Sequence, residues 1–457
     1  MTASLSASAR NGLREHLARP ALVLALAVPF VFLHRSYQPG FAVSVGSASI
    51  DVFLSDLAIL AVVVTAAAVA WNDGLGRLRA ARVLWLTSGA FLGWLCLSVV
   101  YGRVLESGYP LSTHAVSAAK FVEYALLAPS AVLLLRSLDD VVALLAATVG
   151  WSIVMSAVAV LQFLGLVDEF EGRRPGQREP SYLGIHDLAA FSGAALALAV
   201  VAIAWPRSRH RLAAAGGLAG VLGMVLAASI YAVTGLLIAA AAIGALVRRR
   251  TGLATRRALA LVGVCVLVTA GAFALRGAAT TAFMRFLGIR PETAQTTENV
   301  QSWSQRLLLG YVGVRIFLDH PVVGVGFEGS QDRFAYAPHL ADAHRRFPDQ
   351  PAQAFPAPDH PWGVQNGPVQ ALADLGIVGF ALLAAMVVSA LVAAGRLALR
   401  APPELARLGL VTLAWLLLAV AVVSGVGLYA GIPVDALLWL GIGLTGALSA
   451  IVRAEQR

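Results

Sequence analysis

VQALADLGIVGFALLAAMVVSALVAA fills residues 369–394 and carries a single charged side chain, Asp374. As a helix this run is about 39 Å long at ~1.5 Å per residue, more than the roughly 30 Å of a bilayer's hydrocarbon core. The periodic break that marks a half-buried soluble helix is missing, so the stretch predicts a membrane span. The rest of the chain repeats it. Of 457 residues, 58% are hydrophobic and 13% charged, with a mean hydropathy of +0.77. Globular proteins carry about 25% charged residues. Lipid as solvent accommodates this surplus, and there each helix satisfies its own backbone.

Counting apolar runs of about 20 residues predicts twelve spans: 20–35, 52–71, 83–101, 118–135, 141–164, 187–205, 212–230, 232–247, 258–275, 369–394, 407–429 and 432–452. The two within 212–247 meet at SIYAVTG with no clear loop. The expected fold is all-α: a polytopic helical membrane protein of about twelve spans. Residues 1–275 form a membrane domain with spans 1–9. Residues 276–368 form a large outer loop with interfacial helices, and 369–457 return as spans 10–12.

Arginines set the orientation. Arg10, Arg14 and Arg19 precede span 1. Arg77, Arg79 and Arg82 follow span 2, Arg207, Arg209 and Arg211 follow span 6, RRRTGLATRR follows span 8, and Arg396, Arg400 and Arg407 follow span 10. All fall on one side, which is therefore expected to be cytoplasmic, with both termini there and span 1 kept as an anchor. The net charge of +9 is this topology signal rather than a footprint for nucleic acid. Cys96 and Cys265 lie inside apolar runs and offer neither a disulfide framework nor metal spacing. Phosphate-loop and dinucleotide motifs are absent, and no cofactor is expected.

Polarity gathers on the other side. Asp51 and Asp56 begin span 2, Lys120 and Glu123 span 4, Asp187 span 6 and Asp435 span 12, with Asp374 early in span 10. Ionisable groups at membrane depth mark functional sites unless they pair locally, as Lys120 and Glu123 can at three residues' spacing. Their one-sided placement predicts a polar chamber opening outward over an apolar inner half. A transporter needs polar groups near the midplane and access from both sides. An enzyme acting on an outer-leaflet, lipid-linked substrate needs only the outer chamber. The enzyme is the preferred reading and a transporter or flippase the alternative.

Arginine is the side chain for phosphate, planar and permanently charged. Arg173, Arg174 and Arg178 crowd the loop VDEFEGRRPGQREPSYLGIHD, and Arg306 and Arg315 lie in SWSQRLLLGYVGVRIFLDHP, expected to be a helix along the outer surface. Ahead of span 10, PDHPWGVQNGP places Asn366 as a helix cap and Pro368 in the first turn. Asn366, Gln370 and Asp374, four apart, share one face at a helix N-terminus suited to an anion. His360 is the nearest group able to act as a base near neutral pH. His339 and His344, five apart, splay on a helix, and no metal site is expected.

Four features together resemble the O-antigen ligase and polymerase superfamily of bacterial polytopic glycosyltransferases. They are the single large outer loop before three final spans, SWSQRLLLGYVGVRIFLDHPVVGVGFEGSQDRF, QNGPVQALADLGIVGF and RRPGQREPSYLGIHDLAAFSG. The resemblance implies a GT-C-like membrane fold. It implies transfer of a glycan from an undecaprenyl-diphosphate-linked donor to an acceptor glycan or lipid at the outer face of the cytoplasmic membrane, with inversion and without metal. By that match Arg306 holds diphosphate and Asn366 flanks the reacting groups. Two positions depart from the pattern. Gln365 stands where the family has a histidine, and Ser229 and Tyr231 stand where members often carry an arginine after span 7. The base is then His360, His186 or Asp374, and the second cation Arg174.

Overall fold

The computed structural model describes residues 19–45, 48–168, 174–205, 210–286, 302–429, 431 and 433–456. Helix α1 (Ala21–Val31) is followed by a hairpin of β1 (Gly40–Val45) and β2 (Ala48–Phe53), paired antiparallel from Gly40 opposite Phe53 to Val45 opposite Ala48. Next come α2 (Leu54–Asp73), α3 (Arg82–Leu105), α4 (Leu111–Ala125), α5 (Leu127–Leu134), α6 (Leu138–Phe163), α7 (Ile185–Ala204), α8 (His210–Ala227), α9 (Ile230–Thr251) and α10 (Thr255–Phe286). Helices α11 (Ser302–Asp319) and α12 (Arg333–Arg346) lie in the long connection between α10 and α13, and α13 (Gly367–Arg400), α14 (Pro403–Val426) and α15 (Val434–Glu455) complete the chain.

Among the described residues, ten helical segments are long and apolar enough to cross a membrane, α4 and α5 counting as one. The chain is a polytopic helical membrane protein. The two remaining apolar runs form the shorter helices α1 and α8. Helix α1 stops after 11 residues because the chain turns at Phe32 toward the hairpin. The Gln38 side chain holds that turn, donating to the Leu33 carbonyl and accepting from the Ser55 N–H at 2.8 Å. Helix α8 stops at Ala228, which takes the left-handed φ of 47° and redirects the chain into α9. That is the loop-free junction in SIYAVTG.

Helix α13 consists of two pieces meeting at Gly376, where φ is 65° and ψ −172°. A break at this depth frees backbone groups that lipid cannot satisfy. The segment PVVGVG, a turn running into irregular backbone, inserts there and takes them. Val325 N–H donates to the Ala373 carbonyl at 3.0 Å and Gly326 N–H to that of Asp374 at 2.9 Å. Ile377 N–H and Val378 N–H donate in turn to the carbonyls of Pro321 and Val322. Trp94 of α3 donates to the Leu375 carbonyl at 3.1 Å. The backbones approach so closely that a Cβ on Gly324 would overlap Asp374, and one on Gly376 would overlap Val322.

Helix α11 rests on this insert. Leu308, Leu309, Val312 and Ile316 are buried beneath it, while Leu307, Val314 and Leu318 form an exposed apolar stripe. The two apolar faces explain why its sequence reads as more hydrophobic than one core contact requires.

Candidate active site

Arg306 projects from the first half of α11 toward the mouths of α7, α9 and α14. It donates to the Tyr231 hydroxyl at 2.9 Å and to the Gly425 carbonyl at 2.5 Å, with its guanidinium carbon 5.1 Å from the centre of the Tyr231 ring. Its other terminal nitrogen lies 3.3 Å from Nε2 of His186. A guanidinium only donates, so Nε2 accepts and Nδ1 carries the imidazole hydrogen. Nδ1 lies 2.9 Å from the Ser229 hydroxyl, which accepts it. Ser229 and Tyr231, the two departures at the α8–α9 junction, thus orient the histidine and the arginine. A second arginine reaches the same junction from α10, just ahead of the kink at Gly277: Arg276 donates to the Ala228 carbonyl at 2.8 Å.

Next to this cluster lies a cavity of about 640 Å³, a size typical of small-ligand sites. Asp51, Asp187, Glu328 and Asp435 line it with Arg35 and Lys120. Phe121, Tyr124, Phe327 and Tyr429 supply its aromatic surface. Phe327 and Tyr429 meet at a tilt, 4.3 Å between centroids, and Phe121 meets Tyr429 edge-on. The Tyr429 hydroxyl is buried without a hydrogen-bond partner among the described residues. Burial holds its phenol well above the usual tyrosine range, with the Asp374 carboxylate adding to the shift. Asp187 and Asp435 are fixed by backbone donors, Val434 N–H at 3.1 Å and Gly431 N–H at 2.8 Å. Lys120 pairs with Asp56 and lies 3.8 Å from Glu123, the local pairing that three-residue spacing allows. His186 and Asp187 stand side by side on the first turn of α7. One faces the arginine cluster and the other the cavity, so this turn is the wall between them.

The other residues singled out in the sequence go elsewhere. Asn366 caps α13 through the Val369 N–H at 3.1 Å. Gln370 accepts from Leu428 N–H at 2.7 Å, tying α13 to the α14–α15 link. Asp374 is fully buried and accepts from Ser330 N–H at 2.8 Å. The three do share a face, and each side chain there binds backbone. His360 sits in a tight turn closed by mutual backbone bonds with Ala357, its Nδ1 3.0 Å from Asp359. Neither His360 nor the half-buried Gln365 joins the Arg306 cluster. Arg315 lies nine residues after Arg306, half a turn around the helix at ~100° per residue. It faces Asp342 of α12 at 3.9 Å. Arg174 is exposed on the loop before α7, and Arg173 lies outside the described residues.

Four residues escaped the sequence reading. Arg276 falls just after the predicted span 258–275. Glu328 and Asp332 fall in the predicted loop 276–368 and His114 ahead of span 4, yet the imidazole lies between the two carboxylates, 3.2 Å from Glu328 and 2.8 Å from Asp332. Glu328 takes a left-handed φ of 58° to reach it. That strain in a non-glycine residue singles out the position, and only the backbone reveals it.

No curated protein matches the chain. The sequence model of the family described as O-antigen ligase matches residues 188–384. That segment holds Arg276, Arg306, the inserted segment and the broken helix, and over it the chain is similar to the O-antigen ligase family.

Proposed function

We propose that the protein transfers a glycan from an undecaprenyl diphosphate carrier to an acceptor hydroxyl at the outer face of the cytoplasmic membrane, with both termini cytoplasmic. The observation that carries this reading is the placement of Arg306 and His186 on one side of the α7 mouth with a polar, aromatic-lined cavity on the other. A diphosphate is a stronger partner for arginine than a neutral carbonyl or imidazole. On binding, it draws Arg306 from Gly425 and His186, and Arg276 supplies the second cation. The Nε2 lone pair of His186 is then released beside the reaction, while Ser229 keeps the hydrogen on Nδ1. An acceptor saccharide held in the cavity extends one hydroxyl over the α7 turn to the arginine side, where it attacks the anomeric carbon. The new carbon–oxygen bond forms as the bond to phosphate breaks, undecaprenyl diphosphate leaves with the electron pair, and Nε2 takes the hydroxyl proton. Opposite-face attack inverts the anomeric centre. The protein contributes orientation, charge neutralisation and one proton transfer.

His186 takes the role of base in this reading because it touches Arg306. Asp374 is walled in, and His360 is held in its own turn. The test is turnover of a lipid-linked glycan by purified protein in proteoliposomes. Arg306→Ala and His186→Ala are expected to lower it by about 10²–10³-fold, the scale for loss of a charge-stabilising or proton-transfer group. His360→Ala is expected to retain most of it. Full turnover by His186→Ala with loss in His360→Ala would move the base to the loop. Full turnover by Arg306→Ala would remove the reading altogether.

A further inference from the structure

The opposite end of the bundle carries a second cavity, about 960 Å³, between α3, α13 and α15. Five arginines line it: Arg79 and Arg82 at the start of α3, Arg396 and Arg400 at the end of α13, and Arg453 at the end of α15. No aspartate or glutamate among the described residues lines it, and none of the five arginines forms an ion pair among them. Arg453 instead donates to the Arg79 carbonyl at 3.2 Å, which brings two of the cations together. Two helix C-termini meet the N-terminus of α3 here, with dipole charges of about −0.5, −0.5 and +0.5. Together they offset about half of one of the five positive charges.

Below the arginines the cavity turns apolar. Val388 and Val392 of α13 line it and are exposed on the outer surface of the bundle, where lipid tails lie in a membrane protein. A cationic rim over an apolar wall fits an amphiphile with an anionic head and hydrocarbon chains. A soluble phosphate would leave the wall unused. We infer that this cavity binds an anionic membrane phospholipid whose headgroup carries two phosphates, of the diphosphatidylglycerol type. Five guanidiniums can contact two phosphates bidentately, whereas a single phosphate leaves most of the charge unmatched. The site is separate from the Arg306 cluster and does not depend on the reaction proposed there.

The experiment uses the full chain in nanodiscs of phosphatidylcholine doped with diphosphatidylglycerol, or with phosphatidylglycerol at equal charge, followed by mild extraction and native mass spectrometry. One retained diphosphatidylglycerol per chain is expected. Arg82→Gln with Arg396→Gln is expected to weaken retention about thirtyfold. Arg248→Gln with Arg249→Gln, exposed at the end of α9, is expected to leave it unchanged. Arg82→Lys with Arg396→Lys keeps the charge and controls for folding; it is expected to retain more lipid than the glutamine pair. Equal retention of phosphatidylglycerol, equal loss in the α9 pair, or displacement by millimolar inorganic phosphate would each overturn the inference.

Discussion

Arg306 shows how one side chain's geometry constrains its chemistry. Its planar fork meets the Tyr231 hydroxyl and the Gly425 carbonyl at one nitrogen and the His186 ring at another. Lysine keeps the charge and loses the fork. Arg306→Lys is therefore expected to turn over donor nearly as poorly as Arg306→Ala, about 100-fold below the native protein. Tyr231→Phe removes one acceptor, keeps the ring beneath the guanidinium, and is expected to cost tenfold or less, in line with about 1 kcal/mol for a single hydrogen bond. Both are measured as initial rates in the same proteoliposomes. Equal losses in the two variants would show that the hydroxyl, rather than the fork, sets the arginine's position. Arg306 was legible in the sequence from the surface helix and the family resemblance, and His186 as one of three candidate bases; the structure brings the two within 3.3 Å of each other. Arg276 was not legible, because its role depends on the Ala228 carbonyl, exposed only when α8 breaks at a left-handed alanine.

At the scale of elements, the broken helix is the feature on which the outer architecture rests. The sequence marks 369–394 as one unbroken span, and nothing in VQALADLGIVGF distinguishes Gly376 from a tolerated helical glycine. The break exists because PVVGVG, fifty residues earlier, supplies partners for the freed backbone groups, a nonlocal fact. Gly376→Ala is expected to destabilise the fold by roughly 3 kcal/mol, combining the cost of a left-handed non-glycine residue with overpacking against Val322. Gly395→Ala in the same helix, where a Cβ meets nothing within 4 Å, is expected to be neutral. Thermal unfolding in detergent compares them, and equal midpoints would remove the insert's importance. The packing of α12 on α11 is expected to depend on pH. Burial holds His339 below the ordinary histidine value of 6.5, partly opposed by the Asp319 carboxylate. The unfolded chain then binds the proton more readily, so this contribution is present above 6.5 and declines as pH falls toward the folded value. The hydrogen bond from Tyr311 and the pairing with Arg345 hold Asp342 below its ordinary 3.8, so its contribution is lost in the same direction at still lower pH. Once intrinsic exchange rates are corrected for, the protection of residues 333–346 should fall as pH drops below 6.5, and His339→Gln should flatten that dependence. Loss of protection unchanged in His339→Gln would assign it to another group.

For the whole molecule, solvent decides what the sequence discloses. Lipid demands long apolar runs, so the twelve runs counted from hydropathy all contain helices, ten of them among the described residues long enough to cross a membrane. Of the charges read at one set of helix ends, Asp51, Lys120, Asp187 and Asp435 line one cavity, while Asp374 is buried on the Ser330 N–H. The hairpin at 40–53 was hidden because FAVSV and ASIDVF satisfy the same apolar count as a span's approach. Which outer arginines converge was hidden because convergence is set by how the loop folds over the bundle. The assembled charge has a consequence for the acceptor. Four acids, Asp51, Asp187, Glu328 and Asp435, line the outer cavity against Arg35 and Lys120, and Lys120 is already paired with Asp56. Arg306 and Arg276 stand behind the α7 wall, so the protein separates a cationic cluster from an acid-lined cavity. An acceptor saccharide bearing a carboxylate is expected to react at least tenfold more slowly than its neutral or amino-sugar counterpart at low salt. The gap should narrow as the screening length falls from about 30 Å at 0.01 M to about 10 Å at 0.1 M. Asp51→Asn removes one lining charge from the hairpin, away from the arginine cluster, and is expected to narrow the gap with little effect on the neutral acceptor. Paired rate measurements over a salt series check this. A preference that ignores both salt and Asp51 would mean that shape selects the acceptor; a preference for the carboxylate would mean that the acceptor approaches from the arginine side of the wall.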